Sequence, residues 1–152
     1  SAAGIGGKGG PRMPVPRLKD SRGWHRFCFG ATEPCPDSSD DEEETVETPQ
    51  GTLPSVRLLL QVDFVMTQRL VAMHVRWLDA CALSRNRALW LYALLARLHK
   101  PLHRDTCAVL RQLVKRLLAL RDSCEEPAAL SALLALAGRY FDQASPDEIG
   151  SF

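Results

Sequence analysis

The side chains best suited to chemistry here are thiols, imidazoles and clustered charges. His25, Cys28 and Cys35 read His-x2-Cys-x6-Cys, a set of three potential zinc ligands. A closed structural zinc site takes four ligands and prefers tight pairs; no second pair lies nearby, so no metal is assigned and Cys28 is read as a small hydrophobe. A catalytic thiol at Cys81, Cys107 or Cys124 would need an imidazole base and a group to orient it. His74 and His103 are available, but each falls within or beside a helix at a position that needs no special explanation. The glycines of Gly6–Gly10 follow no strand and lead into Pro11 rather than a helix, so they form no phosphate cradle. The reading is a non-enzyme, with no catalytic residues and no cofactor.

Charge offers two further possibilities. Arg111, Lys115 and Arg116, with Arg104 and Arg121, make one basic helix face that could meet RNA phosphates. A solvated amphipathic face looks the same, and no aromatic residues are interleaved there to stack on bases. Direct nucleic-acid binding is therefore not expected, and a helical RNA-binding module is kept as the alternative. Ser38 and Ser39 immediately precede Asp40–Glu44, a context that favours an acid-directed kinase.

The 152 residues carry 19 Lys+Arg against 18 Asp+Glu, a near-neutral balance that excludes a uniformly basic nucleic-acid binder. The balance hides two unlike parts. Up to Thr52 the chain has 6 basic and 9 acidic residues and 8 of its 10 glycines; from Leu53 onward it has 13 basic and 9 acidic residues. Arg69, Arg76, Arg97 and Arg111 interrupt every leucine-rich run, so no membrane span is expected. Ser1–Gly10 lacks an initiating Met and any apolar stretch, which argues against a signal peptide and for a truncated chain. Five cysteines at irregular spacings fit reduced thiols in an intracellular setting.

These residues must be positioned by helices. Residues 1–20 read as a disordered Gly/Pro-rich tail, 21–30 as an aromatic island (Trp24, Phe27, Cys28, Phe29) that docks on the body, and 31–52 as an acidic, extended linker. Residues 53–144 form the helical domain and 145–152 a tail. Pro54 is placed as the first residue of a short helix presenting Val56, Leu59 and Leu60. A second helix follows Asp63 and buries Leu70, Val71, Val75, Trp77 and Leu78. Ser84 caps a third, with Leu89, Trp90, Ala93, Leu94 and Leu98. A fourth runs from about Arg104 to Arg121, and a fifth begins at Pro127 and buries Leu130, Leu133, Leu134, Ala137, Tyr140 and Phe141. No run alternates at period two, so the fold class is all-α, a compact bundle of about five short helices behind a disordered tail. Trp90, Tyr92, Leu94 and Leu95 spread over more of the third helix than such a bundle readily covers, which leaves apolar surface for a partner helix.

The same residues carry a resemblance. Trp90-Leu91-Tyr92-Ala93-Leu94-Leu95-Ala96, Leu98-x-Lys100-Pro101-Leu102, Leu110-Arg111-Gln112-Leu113-x-Lys115-Arg116 and Arg139-Tyr140-Phe141-Asp142-Gln143 resemble, in order and spacing, the carboxy-terminal domain of the second-Gemin family. Gly23-Trp24-His25-Arg26-Phe27-Cys28-Phe29-Gly30 is similar to the Gly-Trp-Lys-Lys-Phe-Cys segment ahead of the same helices. The resemblance implies a scaffold of the survival of motor neuron (SMN) complex, which loads Sm proteins onto small nuclear RNAs in spliceosomal assembly. It implies an amphipathic amino-terminal helix of SMN as direct partner, other Gemins as indirect partners, and residence in the cytoplasm and in nuclear gems. The family's amino-terminal arm wraps the Sm proteins; here that region is Gly/Pro-rich. Partner contacts implied on this chain are Trp90, Leu94 and Arg97 on the third helix, Tyr140 and Phe141 on the fifth, and Trp24 and Phe27 of the docked island, Trp24 as a lid. Where the family commonly has Arg before Trp-Leu-Tyr this chain has Leu89, with Arg87 and Arg97 the nearest cations.

Overall fold

Capping chemistry sets where each helix begins. A computed structural model describes residues 12–31, 33–37 and 51–150; Ser38, Ser39 and Asp40–Glu44 lie outside the described residues. These form seven helices: α1 (Ser21–Phe29), α2 (Val56–Gln61), α3 (Phe64–Leu78), α4 (Arg85–Arg97), α5 (Arg104–Leu120), α6 (Pro127–Leu134, continued by a π-helical turn Ala135–Tyr140) and α7 (Pro146–Ile149). No strand occurs among the described residues, and the fold class is all-α as read from the sequence. The side chains of Asp20, Ser55, Asp63 and Ser84 each accept from a backbone N–H in the first turn of α1 to α4, satisfying a donor that the helix cannot.

α3, α4 and α5 pack together and α6 closes against α4 and α5. Trp77, Leu78, Trp90, Leu91, Leu94, Leu95, Leu110, Leu113, Leu117 and Leu134 are fully buried between them. Each such leucine contributes about 1.5–3 kcal/mol by leaving water. Arg116 lies at the edge of this core and donates to the carbonyls of Leu78 and Cys81, at the end of α3 and in the turn beyond it, the Leu78 oxygen also accepting from Cys81 N at 3.3 Å.

The structure differs from the sequence reading in five places. α2 starts after Pro54, because Ser55 Oγ accepts from Leu58 N at 3.2 Å and so becomes the cap. The shift turns Leu58 inward, keeps Leu59 half-buried against the core as expected, and leaves Val56 and Leu60 exposed. In α6 the change to π-helix, marked by Phe141 N donating to Leu136 O at 3.1 Å, widens the turn by one residue. Phe141 enters the core and Tyr140 is left 55% exposed, although both were expected inside. Residues 12–20 are not a loose tail: Gln61 clasps the backbone of Met13, its Oε1 accepting at 2.8 Å and its Nε2 donating at 2.6 Å, and Met13 and Val15 pack on the core. Residues 33–37 dock on the bundle instead of extending into solvent, through contacts described below. Residues 145–150 contain α7, held by a capping box between Ser145 and Glu148 rather than trailing as a tail.

Candidate partner-binding surface

The aromatic island is helix α1, and it is held by rings and hydrogen bonds. Trp24 meets Phe27 edge-on at 5.4 Å, Phe27 meets Trp90 at 6.5 Å, and Phe29 meets Trp77 at 6.2 Å. Trp24 Nε1 donates to Arg17 O at 3.0 Å, and Trp90 Nε1 donates to Thr52 O at 3.0 Å. Thr52 N in turn donates to Phe27 O at 2.8 Å, so the segment entering the helical domain stitches α1 to α4. Gly51 makes this possible: a Cβ there would sit 2.2 Å from Cys28 O. Gly30 ends α1 at φ 84°, a conformation that favours glycine.

Beneath α1 lies a buried polar cluster. Arg87 Nη2 is 3.0 Å from His25 Nε2, which must accept because a guanidinium only donates, and 2.8 Å from Glu33 Oε1. The Arg87 guanidinium also lies over the Phe29 ring at 4.4 Å. His74 stacks on Trp90 at 5.8 Å, and its Nε2 lies 3.7 Å from Cys28 Sγ. Burial, then the nearby Arg87 and His25, holds the His74 imidazole down at about 3. Burial pushes the Cys28 thiol well above its ordinary value, and Arg87 offsets this only in part. Cys28 and His74 thus make a neutral thiol against a neutral imidazole, the opposite of an activated nucleophile.

The next residues form a strap over this cluster. Glu33 reaches Arg87, and Asp37 Oδ2 accepts from Arg76 Nη2 at 2.7 Å, from Trp77 Nε1 at 2.9 Å and from Ser21 Oγ. Burial raises the Asp37 carboxyl, but these donors outweigh it and hold it at about 2.

The residues read from the sequence as partner contacts therefore fall into two groups. Trp24, Arg87, Trp90, Leu94 and Phe141 are buried by the chain itself, and Phe27 is half-buried against Trp24 and Trp90. In this conformation Trp24 is a core residue rather than a lid, and Arg87 serves Glu33 and His25. Leu89, Arg97 and Tyr140 are at the surface. Leu89 and Tyr92, 40% and 53% exposed, recur with exposed Ala96 at i, i+3 and i+7, a single apolar stripe on the outer side of α4. Val56 and Leu60 on α2, which packs against α4, are exposed as well. Tyr92 had been counted only as part of an apolar excess; phasing α4 on the buried set Trp90, Leu91, Leu94 and Leu95 separates it onto the opposite face. Arg87 had no local signal, because its partners lie 54 and 62 positions away.

The basic face expected on α5 is divided. Arg111 donates to Gln143 O at 2.8 Å and pairs with Glu148, and Arg116 holds the end of α3. Of that set of five, Arg104, Lys115 and Arg121 lie at the surface. Among the described residues no group of three or more His, Cys, Asp or Glu is arranged to hold a metal ion, and no helix is long and apolar enough to cross a membrane.

A protein-family model described as survival motor neuron (SMN) interacting protein 1 (SIP1) matches residues 6–144. The chain is 35% identical over 104 residues to Gem-associated protein 2 of Dictyostelium discoideum, covering 65% of this chain and 31% of the relative. It is 29% identical over 140 residues to Gem-associated protein 2 of Mus musculus, covering 86% and 52%. The Xenopus laevis protein of the same name is 25% identical over 141 residues, covering 86% and 54%. The chain thus spans about half the length of the mouse and frog relatives and less than a third of the slime-mould one.

Proposed function

The chain belongs to the survival motor neuron interacting protein 1 family, and we propose that it acts as a non-enzymatic scaffold of the SMN complex by receiving an amphipathic helix of SMN on the outer side of α4. The observation that carries this reading is the apolar stripe of Leu89, Tyr92 and Ala96 on the outer side of α4, flanked by exposed Val56 and Leu60 of α2. A partner helix with apolar residues at i, i+3, i+4 and i+7 would cover that stripe and exclude water from it. Arg97 at the end of the stripe, and Tyr140 beyond it, would supply a cation and an amphipathic ring at the rim. Trp90, Leu94 and Phe141 act from behind, as the packed floor that fixes the stripe. Trp24, Phe27 and Arg87 act through α1, which they lock against α3 and α4. Leu89 in place of the family's Arg exchanges an oriented charge for apolar contact, so this interface should depend less on salt.

In this reading the chain supports Sm protein loading onto small nuclear RNAs in the cytoplasm and nuclear gems, alongside other Gemins. Any contact with Sm proteins would come from sequence ahead of the helical bundle. Calorimetric titration with an SMN amino-terminal peptide tests the central claim. Binding is expected, with Tyr92→Glu weakening it by about tenfold or more while leaving the melting temperature nearly unchanged, because Tyr92 is exposed. Absence of heat at high micromolar peptide, or Tyr92→Glu binding as tightly as the parent, would overturn it.

A further inference from the structure

Ser21 occupies a position that neither helix packing nor the proposed partner surface requires. Its hydroxyl donates to Asp37 Oδ2 and accepts from Arg76 Nη2 at 2.8 Å, while the same Arg76 nitrogen donates to Asp37 at 2.7 Å. The three side chains close a triangle, and Trp77 Nε1 also donates to Asp37, at 2.9 Å. The triangle is at the surface: Ser21 is half-buried and the Arg76 side chain is 56% exposed. Around it the chain reads Arg17-Leu18-Lys19-Asp20-Ser21-Arg22, with Arg17 and Lys19 exposed. Cations on both sides of a hydroxyl are the pattern that acidic subsites of basophilic kinases select.

We propose that Ser21 is a phosphoacceptor whose modification by a basophilic, ATP-dependent kinase releases the Asp37 end of the strap. In the transfer Ser21 Oγ forms a bond to the γ-phosphorus of ATP, the bond from that phosphorus to its bridging oxygen breaks, ADP leaves, and the hydroxyl proton passes to the kinase's base. The triangle then cannot persist. The hydroxyl that donated to Asp37 has become an acceptor-only group carrying about −1.5 to −2 charge at hydrogen-bonding distance from a carboxylate. Arg76 is already in contact and can pair bidentately with the phosphate, which outcompetes a single carboxylate oxygen. Among the described residues Asp37 then keeps the Trp77 indole as its donor. This site is separate from Ser38 and Ser39, whose acidic surroundings suit a different kinase class, and it does not depend on SMN binding.

Cys35, half-buried between Glu33 and Asp37, reports on the strap directly. Two measurements test the proposal on the full chain. Incubation with the catalytic domain of a basophilic kinase and ATP should place phosphate on Ser21, mapped by peptide mass and abolished in Ser21→Ala. With phosphoserine installed at position 21 during synthesis, alkylation of Cys35 should accelerate about tenfold, and Asp37→Asn without phosphate should give a comparable acceleration. Failure of the kinase to modify Ser21 at saturation would overturn the acceptor role. An unchanged Cys35 rate in the phosphorylated chain, with Asp37→Asn accelerated, would overturn the release.

Discussion

At the scale of single residues, His74 ties the stability of the fold to acid. Its ring is enclosed by Phe29, Trp77 and Trp90 with Arg87 nearby, and it stays neutral in the folded chain down to about 3. In the unfolded chain it takes up a proton near its ordinary value of about 6.5. Between those values the unfolded state binds more protons, so stability falls as pH falls from about 6.5 toward 3. Chemical denaturation across that window should show a slope approaching ~1.4 kcal/mol per pH unit, the value for one proton, and His74→Gln should flatten it. An unaltered slope in the variant would show that other groups carry the acid response. Asp37 acts in the same direction at lower pH. Its folded value of about 2 lies below its unfolded one, so its contribution is present above about pH 4 and is lost only as pH falls through about 2. His74 was visible in the sequence as a helical histidine; its neutrality was not, because the rings and cation that enforce it come from α1 and α4 as well as from its own helix.

At the scale of elements, α1 was legible as an island of aromatic residues bracketed by glycines, while its docking depends on a contact that those residues do not make themselves. Gly51 brings the backbone against the end of α1, which lets Thr52 bridge Phe27 and Trp90. Gly51→Ala would place a methyl group 2.2 Å from a backbone carbonyl oxygen that has no rotamer to yield. The variant should lose about 1–3 kcal/mol of stability, with the near-ultraviolet signal of Trp24 and Trp90 altered; retention of both would show that the close approach is dispensable. The helices from α3 to α5 were placed to within a residue or two because caps and apolar periods agree there. α6 was misjudged at its end, since a single π-turn moves Tyr140 out and keeps Phe141 in, and nothing in Leu136-Ala137-Gly138-Arg139 announces the wider turn.

At the scale of the whole molecule, three outlying segments are fastened by long side chains of α2 to α5. Gln61 holds residues around Met13, Arg87 and Arg76 hold the 33–37 strap, and Arg111 holds Gln143 and Glu148 at the far end. Arg111→Met should leave α3 to α5 protected while amide exchange quickens across 141–150; uniform protection would show that α7 is held by other contacts. The hydrogen bond from Arg111, with those from Ser145, holds Glu148 at about 2, so the contribution of this clip is fully present above about pH 4.5 and is lost only as pH falls through about 2. The amino-acid sequence by itself determined the all-α class, most helix boundaries, and the family, because caps, periods and ordered motifs are local or nearly local signals. Only the tertiary structure decided which apolar residues stay at the surface and which basic residues remain exposed. Trp90 and Tyr92 are two positions apart on one helix, and Arg111, Lys115 and Arg116 read as one basic stripe. Their roles separate only when α1, the end of α3 and α7 arrive from distant parts of the chain to cover some of them and leave others in water.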